Sequence, residues 1–238
     1  DYARYMELMN EAYTNSKMGA PFDQESIDLW RQHPNEPLLY PNTDQFDVLF
    51  GNTKVAHQHT FSLNGGSEKL SYYSSFTYLD NPGVVENTEY QRYGLRSNIE
   101  AKITDWFSVG TNLNGVYSSR NINANSLSDV FNFARQTTPG IVHRHPDGRY
   151  GVAHNPVDGG NNILTRLNNK EGENLSRNLQ TRFYATVKPF KGLSVSASYA
   201  YHYSDNEQWQ KPVFIPQWNF LEDVMMTDGV GRTNISNK

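Results

Sequence analysis

Val55 to Tyr117 reads VAHQHTFSLNGGSEKLSYYSSFTYLDNPGVVENTEYQRYGLRSNIEAKITDWFSVGTNLNGVY, and four runs within it alternate apolar and polar residues. In the first run, Phe61 and Leu63 hold odd positions while polar residues hold the even ones. Successive side chains of a strand point to opposite faces, so each run predicts a ribbon with one apolar and one polar face. We predict strands over 54–64, 69–79, 90–103 and 106–118. Each is about ten residues or longer, as a tilted strand needs to be to cross a bilayer.

Two architectures fit such ribbons: a soluble antiparallel sheet with its apolar face on a core, or a transmembrane barrel with its apolar face toward lipid. The connections favour the barrel, because residues 65–68 and 104–105 are tight turns and the links between hairpins are longer. Short turns at one end and long loops at the other characterise outer-membrane barrels. Aromatic residues also gather near the strand ends, as in an interfacial girdle; they are Tyr78, Tyr90, Tyr93, Trp106, Phe107 and Tyr117.

The remaining segments extend this pattern. Alternation returns over 177–188 and again after the turn 189–192, so that all three tight turns fall on one side of the sheet. The predicted fold is all-β with short helices in loops, a part of a large antiparallel transmembrane β-barrel. The predicted organisation is an extracellular-side segment with short helices at 1–53, four barrel strands at 54–119, a long extracellular loop at 120–176, a barrel hairpin at 177–204 and an extracellular loop at 205–238.

Short helices are predicted from apolar spacing and capping residues. They begin at Asp1 and Asp23, a helical turn ends near Gly51, and a further helix over 128–136 is expected to be capped by Ser128.

Composition narrows the class of protein. The 238 residues have a mean hydropathy of −0.72, and no continuous apolar run is long enough for a transmembrane helix. The absence of cysteine removes disulfides and thiolate chemistry, and a net charge of −4 without a basic cluster argues against nucleic acid as a partner. The sequence has no signal peptide and opens directly on a helical pattern, so we expect it to be a piece of a longer polypeptide.

An ordered series of short motifs resembles a known family. LNGGSEK at 63–69, YY at 72–73, YLD at 78–80, GVV at 83–85 and YQRYGLRSN at 90–98 look like the early barrel of SusC/RagA-type TonB-dependent transporters. LMNEA at 8–12 and YPNTD at 40–44 are similar to the segment before those strands, and TP at 138–139, PDGRY at 146–150 and NP at 155–156 resemble the following outer loop. Gln45 stands where the family usually has tryptophan, which we interpret as a change in local packing.

The resemblance implies a bacterial outer-membrane barrel of about 22 strands with an N-terminal plug. It implies uptake of oligosaccharides or peptides, driven by TonB and covered by a SusD-like surface lipoprotein. The partners implied are the chain's own plug domain, the remaining barrel, the lipoprotein, TonB through an N-terminal segment, and the lipid bilayer. This chain would supply about six strands, without the plug or the TonB-contacting segment, and six such strands cannot enclose a pore.

Two groups of candidate site residues follow. The first should point into the barrel, where we hypothesise pairing with carboxylates and amides of the plug, although a hydrated face without plug contact is the alternative; its members are Arg92, Arg96, Glu100, Lys102, Arg182 and Tyr184. The second could contact ligand from the outer loops, although loop packing is the common role of such residues; its members are Trp209, Trp218, His143 and His145.

Catalytic and metal chemistry have little support in the sequence. His143 and His145 with His154 suggest a metal site, but no carboxylates at ligand spacing accompany them, so we predict neither a metal nor a cofactor. Asp147-Gly148 and Asp158-Gly159 fit turns better than calcium loops. No nucleophile elbow or zinc-protease motif occurs, and an enzyme is not predicted. A soluble β-rich, lectin-like binding module remains the alternative from another class.

Overall fold

A computed structural model describes residues 1–51, 54–122, 126–155, 158, 162–219 and 224–226. The chain divides into two compact units. We call Asp1–Asn52, Asn123–Lys170 and Pro212–Lys238 the loop unit, and Thr53–Ile122 with Glu171–Lys211 the sheet unit.

The described elements are short helices and mostly long strands. The helices are α1 (Tyr2–Asn15), α2 (Gln24–Gln32), α3 (Gln45–Phe50), α4 (Leu127–Gln136) and α5 (Ile163–Asn168). The strands are β1 (His57–Gly66), β2 (Leu70–Asn81), β3 (Tyr90–Thr104), β4 (Phe107–Asn121), β5 (Tyr150–Gly151), β6 (Lys170–Phe190), β7 (Leu193–Pro212), β8 (Gln217–Asn219) and β9 (Val224–Met226).

Six long strands form one open sheet in the order β1-β2-β3-β4-β6-β7, and the pairs from β1 to β6 are antiparallel. The predicted all-β class and its alternating faces are thereby confirmed. Tight turns close one end of the three hairpins. In the first, the Ser67 hydroxyl accepts hydrogen bonds from the backbone N–H groups of Lys69 (3.3 Å) and Leu70 (3.2 Å). In the third, Gly192 takes a left-handed φ of 96°, which favours glycine.

Two strands are longer than their apolar alternation predicts. β6 begins at Lys170 rather than at residue 177, and β7 continues to Pro212, well past residue 204. The added residues are mostly polar, but their backbone continues the ladder, in which Asn121 is paired with Glu173. Ladder hydrogen bonds do not depend on apolar side chains, so alternation alone underestimates strand length.

The helix caps follow the sequence with one correction. The side chains of Asp1 and Asp23 accept from the backbone N–H groups of the residues at the starts of α1 and α2, as predicted. The predicted cap of α4 at Ser128 is wrong, because Ser126 caps this helix. Its hydroxyl accepts from the Asp129 N–H (3.2 Å), and the Asp129 carboxylate accepts from the Ser126 N–H (3.3 Å), which completes a capping box.

Buried apolar side chains concentrate in the loop unit. One cluster joins Tyr2, Ala3 and Met6 of α1 to Phe22 and to Ile27 of α2. None of the buried apolar residues in the described part of the chain lies in the six long strands. Among the described residues, no helix has the length and apolar character needed to cross a membrane.

Candidate functional site

A row of aromatic side chains crosses the sheet on its apolar face. His59, Tyr78, Tyr93, Tyr117 and Arg177 are direct partners from β1 through β6. The ring centroids of Tyr78 and Tyr93 are 5.1 Å apart, and those of Tyr93 and Tyr117 are 6.1 Å apart. The pairing register thus aligns single tyrosines from three strands at one level, near the strand ends away from the tight turns.

Apolar residues cover this face from the tyrosine row to the tight turns. Phe61, Leu95, Phe183 and Val195 are 72%, 49%, 54% and 56% exposed, and Leu113 is half-buried. At the turn end lie Trp106 and Phe107, with ring centroids 5.9 Å apart. These residues do not converge in a shared core, as the apolar face of a soluble sheet would require.

The height of the apolar band can be worked out from the strand geometry. Tyr93 and Ile103 lie at its two limits on β3, ten residues apart. At about 3.4 Å per residue, the band is about 34 Å long along the strand. A barrel strand is tilted by about 40°, so the band is about 26 Å tall, close to the apolar belt of about 25 Å on outer-membrane barrels.

Ion pairs lie on the same face, at the level of the tyrosine row and beyond it. The Arg177 guanidinium lies 2.8 Å from an Asp205 carboxylate oxygen and 3.1 Å from one of Glu207. Further along, the Lys211 ammonium is 2.9 Å from the Glu171 carboxylate. The apolar band therefore ends in an aromatic row followed by charged pairs, the order found from hydrocarbon to headgroups.

The opposite face is polar and contains a groove of about 660 Å³. Its floor is built from side chains in adjacent strands, and the Asn112 amide nitrogen donates to the Asn98 amide oxygen (3.0 Å). Arg96 and Arg182 stand in the same groove. The groove is lined mainly by polar side chains, namely Arg96, Asn98, Asn112, Asn114, Gln180, Arg182 and His202.

Tyr184 and Glu100 lie beside this groove. The Tyr184 hydroxyl donates to a Glu100 carboxylate oxygen (3.2 Å), and the Arg182 guanidinium carbon is 5.8 Å from the centre of the tyrosine ring. Gly110 is the direct partner of Tyr184 in β4, and a Cβ atom added at Gly110 would overlap the tyrosine ring. The ring therefore lies across the glycine, which has no side chain to displace it.

All six residues predicted to face the barrel interior lie on this polar face, as the register and alternation require. The structure brings Arg96 and Arg182 into the groove, and Glu100 into contact with Tyr184. Arg92 lies toward the end with the long connections and Lys102 toward the tight turns. Their contact with a plug stays a prediction.

The four residues predicted to contact ligand from the outer loops lie in different parts of the structure. Trp209 lies in β7 of the sheet unit rather than in a loop. Trp218 lies in β8, which pairs with β5 in the loop unit, and the Arg149 guanidinium carbon is 4.7 Å from the centre of its ring. His143 and His145 are each only 4% exposed. Burial lowers the pKa of His145.

His143 belongs to a buried chain of hydrogen bonds. Its Nδ1 lies 2.9 Å from the Asn162 amide oxygen, and its Nε2 contacts the Gln45 amide oxygen. The Gln45 amide nitrogen donates to the Thr138 carbonyl oxygen (2.8 Å). Burial lowers the pKa of His143 to about 4, partly opposed by its hydrogen bond to Asn162. Gln45, where the family resemblance leads one to expect tryptophan, thus has a polar packing role in the loop unit.

This network could not be predicted from the sequence because its members are far apart in the chain. His143 is 98 residues from Gln45 and 19 from Asn162. The sign of this network in the sequence was Gln45, which stands where the family resemblance leads one to expect tryptophan. In the described part of the chain, no group of three or more His, Cys, Asp or Glu side chains could hold a metal ion.

Comparisons with known proteins agree with this geometry, although no protein-family model matches the sequence. The chain is 27% identical over 198 residues to TonB-dependent receptor P26 of Formosa agariphila, a match that covers 83% of this chain and 19% of that receptor. It is 31% identical over 98 residues to TonB-dependent receptor SusC of Bacteroides thetaiotaomicron, covering 38% of this chain and 10% of SusC.

The fold is similar to that of the RagAB peptide importer in its "closed-closed" state. The TM-score is 0.63 at 20% identity, and the similarity covers 87% of this chain and 26% of the importer chain. The chain spans about a fifth of the length of the curated receptors that match most of it. The resemblance predicted from the sequence is confirmed: the chain is similar to TonB-dependent receptors of the SusC/RagA type over most of its length, and its antiparallel sheet has the fold of a fragment of such a β-barrel.

Proposed function

We infer that the chain forms part of the wall and outer loops of a TonB-dependent importer in the bacterial outer membrane. The observation that carries this inference is the exposed apolar band, about 34 Å long along the strand and bounded by the tyrosine row, which would be about 26 Å tall at the usual barrel tilt of about 40°. A polar face opposite such a band fits a barrel interior.

The orientation follows from the connections. The three tight turns leave one end of the strands, whereas the long connection 122–169 leaves the other. Outer-membrane barrels have short periplasmic turns and long extracellular loops. The turns at Ser67, Asp105 and Gly192 therefore face the periplasm in this proposal.

The cargo of the whole receptor is proposed to be oligosaccharides or peptides, taken up with a SusD-like surface lipoprotein. The support is similarity to a receptor named SusC and to a structure described as a peptide importer. Within this chain, Trp218 with the Arg149 guanidinium over its ring, and the exposed Trp209, offer aromatic surfaces to such cargo.

A soluble lectin-like module fits the structure less well. Such a module would bury the apolar face of its sheet, whereas Phe61, Phe183 and Val195 are more than half exposed. No specific observation favours this alternative.

Labelling of introduced cysteines tests the proposal, because the chain has none of its own. Leu95→Cys and Phe183→Cys should be placed in the full-length receptor, with any other cysteines removed and the membranes intact. Both should resist a charged maleimide and react with a membrane-soluble one. Glu68→Cys, in a tight turn, is the matched control and should react with charged reagent only after the outer membrane is permeabilised. Rapid labelling of Leu95→Cys or Phe183→Cys by the charged reagent would refute the membrane-facing assignment.

An uptake assay tests the proposed cargo, the energy source and the need for the surface lipoprotein. Cells with the full-length receptor should accumulate fluorescent oligosaccharide or peptide pools, and deletion of TonB or of the surface lipoprotein should abolish accumulation. Accumulation that survives deletion of TonB would contradict the proposed energy source.

A further inference from the structure

A groove opens in the apolar face of the sheet just below the tyrosine row. Gly115 of β4 is the direct partner of Leu95 in β3 and of Leu179 in β6, so a residue without a side chain lies between two leucines. A Cβ atom added at Gly115 would make only ordinary contacts, 3.9 Å from the Leu179 side chain and 3.9 Å from the Leu95 carbonyl oxygen. The groove has a volume of about 380 Å³, and its walls are the apolar and aromatic side chains of Phe76, Tyr93, Leu95, Tyr117, Leu179 and Tyr203.

The position of the groove in the apolar band points to its occupant. Gly115 is two residues from Tyr117, which places the floor of the groove about 7 Å from the tyrosine row along the strand. The walls stay accessible, since Phe76, Leu95 and Tyr203 are 45%, 49% and 45% exposed. On the membrane-facing side of the proposed barrel, an apolar groove at this depth takes the first part of a lipid acyl chain. The headgroup of that lipid then lies at the tyrosine row.

An ion cluster stands where the groove meets the tyrosine row. Arg177 lines the groove and is the partner of Tyr117 in the row. One nitrogen of its guanidinium group lies 2.8 Å from an Asp205 carboxylate oxygen, and two nitrogens each lie 3.1 Å from one Glu207 oxygen. A guanidinium group has five N–H donors. These three contacts with described residues leave two N–H groups of Arg177 for a further acceptor.

The charges of this cluster select a headgroup that has both signs. One guanidinium group and two carboxylates give an excess of one negative charge. A phosphate alone would gain the Arg177 N–H groups but would lie beside two carboxylates, and an amine alone would lie beside the guanidinium group. A headgroup in which a phosphate and an ammonium group are joined by a short link satisfies both signs at once.

We propose that this groove and ion cluster bind a phospholipid with a phosphoethanolamine headgroup in the outer leaflet of the membrane. The lipid phosphate accepts hydrogen bonds from Arg177, and the ammonium group donates to the carboxylates of Asp205 and Glu207. One acyl chain lies over Gly115. This inference rests on the proposed membrane-facing assignment and adds a specific lipid site to that face.

The experiment measures lipid binding to the full-length receptor, purified in mild detergent and depleted of lipid. A phosphatidylethanolamine with a photoreactive group in its acyl chain is added, and the cross-linked peptides are mapped by mass spectrometry. Cross-links should concentrate in 93–117 and 177–203. Unlabelled phosphatidylethanolamine should compete at least about tenfold better than phosphatidylglycerol, which lacks the amine. Phosphatidylcholine should also compete poorly, because its methylated amine has no N–H to donate.

Matched variants separate the headgroup from the acyl chain. Arg177→Gln should weaken competition by phosphatidylethanolamine about tenfold, since it removes charge-assisted hydrogen bonds to the phosphate. Asp205→Asn with Glu207→Gln should reverse the preference in favour of phosphatidylglycerol, because the guanidinium group then has no carboxylate beside it. Gly115→Leu fills the groove and should weaken both lipids alike. Lys211→Gln removes a cation farther out on the same face and should change nothing.

Heat-dependent gel mobility shows which variants are folded, and if none folds, the ranking of the three lipids on the wild-type receptor decides the question. Equal competition by all three lipids, or cross-links spread evenly over the apolar face, would mean unspecific contact with bulk lipid and would overturn the inference. A preference of the wild type for phosphatidylglycerol, or for a lipopolysaccharide without an amine, would assign an anionic lipid to the groove and would also overturn it. These results leave the proposed function intact, whereas failure of the cysteine-labelling pattern would contradict the proposed function itself.

Discussion

An arginine scan across the two faces gives a graded test of the membrane arrangement. Ile99 and Asn98 are neighbours on β3 that point to opposite faces, and Leu95 shares the face of Ile99. Ile99 lies six residues from the tyrosine row, about 16 Å below it, whereas Leu95 lies two residues away, about 5 Å below. In a band about 26 Å tall, Ile99 is therefore near the midplane and Leu95 near the interface.

The expected loss of barrel stability depends on how deep in the membrane the introduced arginine lies. Arginine on the lipid face costs about 2–4 kcal/mol at the midplane and about 0–1 kcal/mol near the interface. Ile99→Arg should therefore destabilise the folded barrel by about 2–4 kcal/mol, and Leu95→Arg by about 1 kcal/mol or less. Asn98→Arg places the same side chain on the polar face at the same height as Ile99, where the lipid cost is absent.

The assay is a urea titration of the full-length receptor folded into lipid vesicles, with the folded fraction measured from heat-dependent gel mobility. The order of stability should be wild type, then Leu95→Arg and Asn98→Arg, then Ile99→Arg, because Asn98→Arg loses the hydrogen bond from Asn112 and adds a cation level with Arg182 without a lipid cost. Equal losses for Ile99→Arg and Asn98→Arg would refute the assignment of faces. A larger loss at Leu95 than at Ile99 would refute the depth scale and hence the level assigned to the tyrosine row.

Three further predictions concern single contacts. Gly110→Ala should displace Tyr184 from Glu100 and cost about 1–3 kcal/mol in the same titration, whereas Gly94→Ala, where an added Cβ meets only ordinary contacts, should be nearly neutral. Ser126→Ala should remove the cap of α4 and cost the loop unit about 1 kcal/mol, read as faster hydrogen exchange over 127–136, with Ser128→Ala as a control of smaller effect. The pKa of His143 is about 4 when folded against about 6.5 when unfolded, so the stability it contributes is present above pH 6.5 and about 3 kcal/mol of it is lost as the pH falls toward 4. Protease sensitivity of 138–168 should rise over that window, and a rise of the same size in His143→Gln would contradict the role of this ring.

The sheet could be predicted because its determinants are local. A period of two specifies the faces, and tight turns such as that at Gly192 specify which strands pair. Strand prediction from the period of two failed where residues do not alternate between apolar and polar. The first residues of β6 are polar on both faces apart from Leu175, and their strand conformation comes from pairing with β4, a partner about 50 residues earlier in the chain.

The candidate sites were predicted only in part, for a related reason. Alternation assigned Arg96 and Arg182 to the polar face correctly, but only the register of three strands shows that they share one groove. For the histidines of the loop unit, the prediction from the sequence and the structure differ. In the sequence, the closeness of His143 and His145 suggests ligand binding. In the structure both rings are buried, and His143 is held by residues from two other segments.

The two units bury apolar surface by different means, and this difference predicts where the chain is sensitive to its surroundings. The loop unit has its own core, with Tyr2, Met6 and Ile163 fully covered by protein, so its stability should change little between detergents and lipids. The sheet unit leaves Phe61 and Phe183 uncovered, so in the proposed barrel the free energy of burying them comes from hydrocarbon. Thinning the bilayer of the vesicles should therefore destabilise the sheet strands and spare the hydrogen-exchange protection of α1 and α5. Equal losses in both units would mean that the sheet's apolar face is covered by protein and not by lipid.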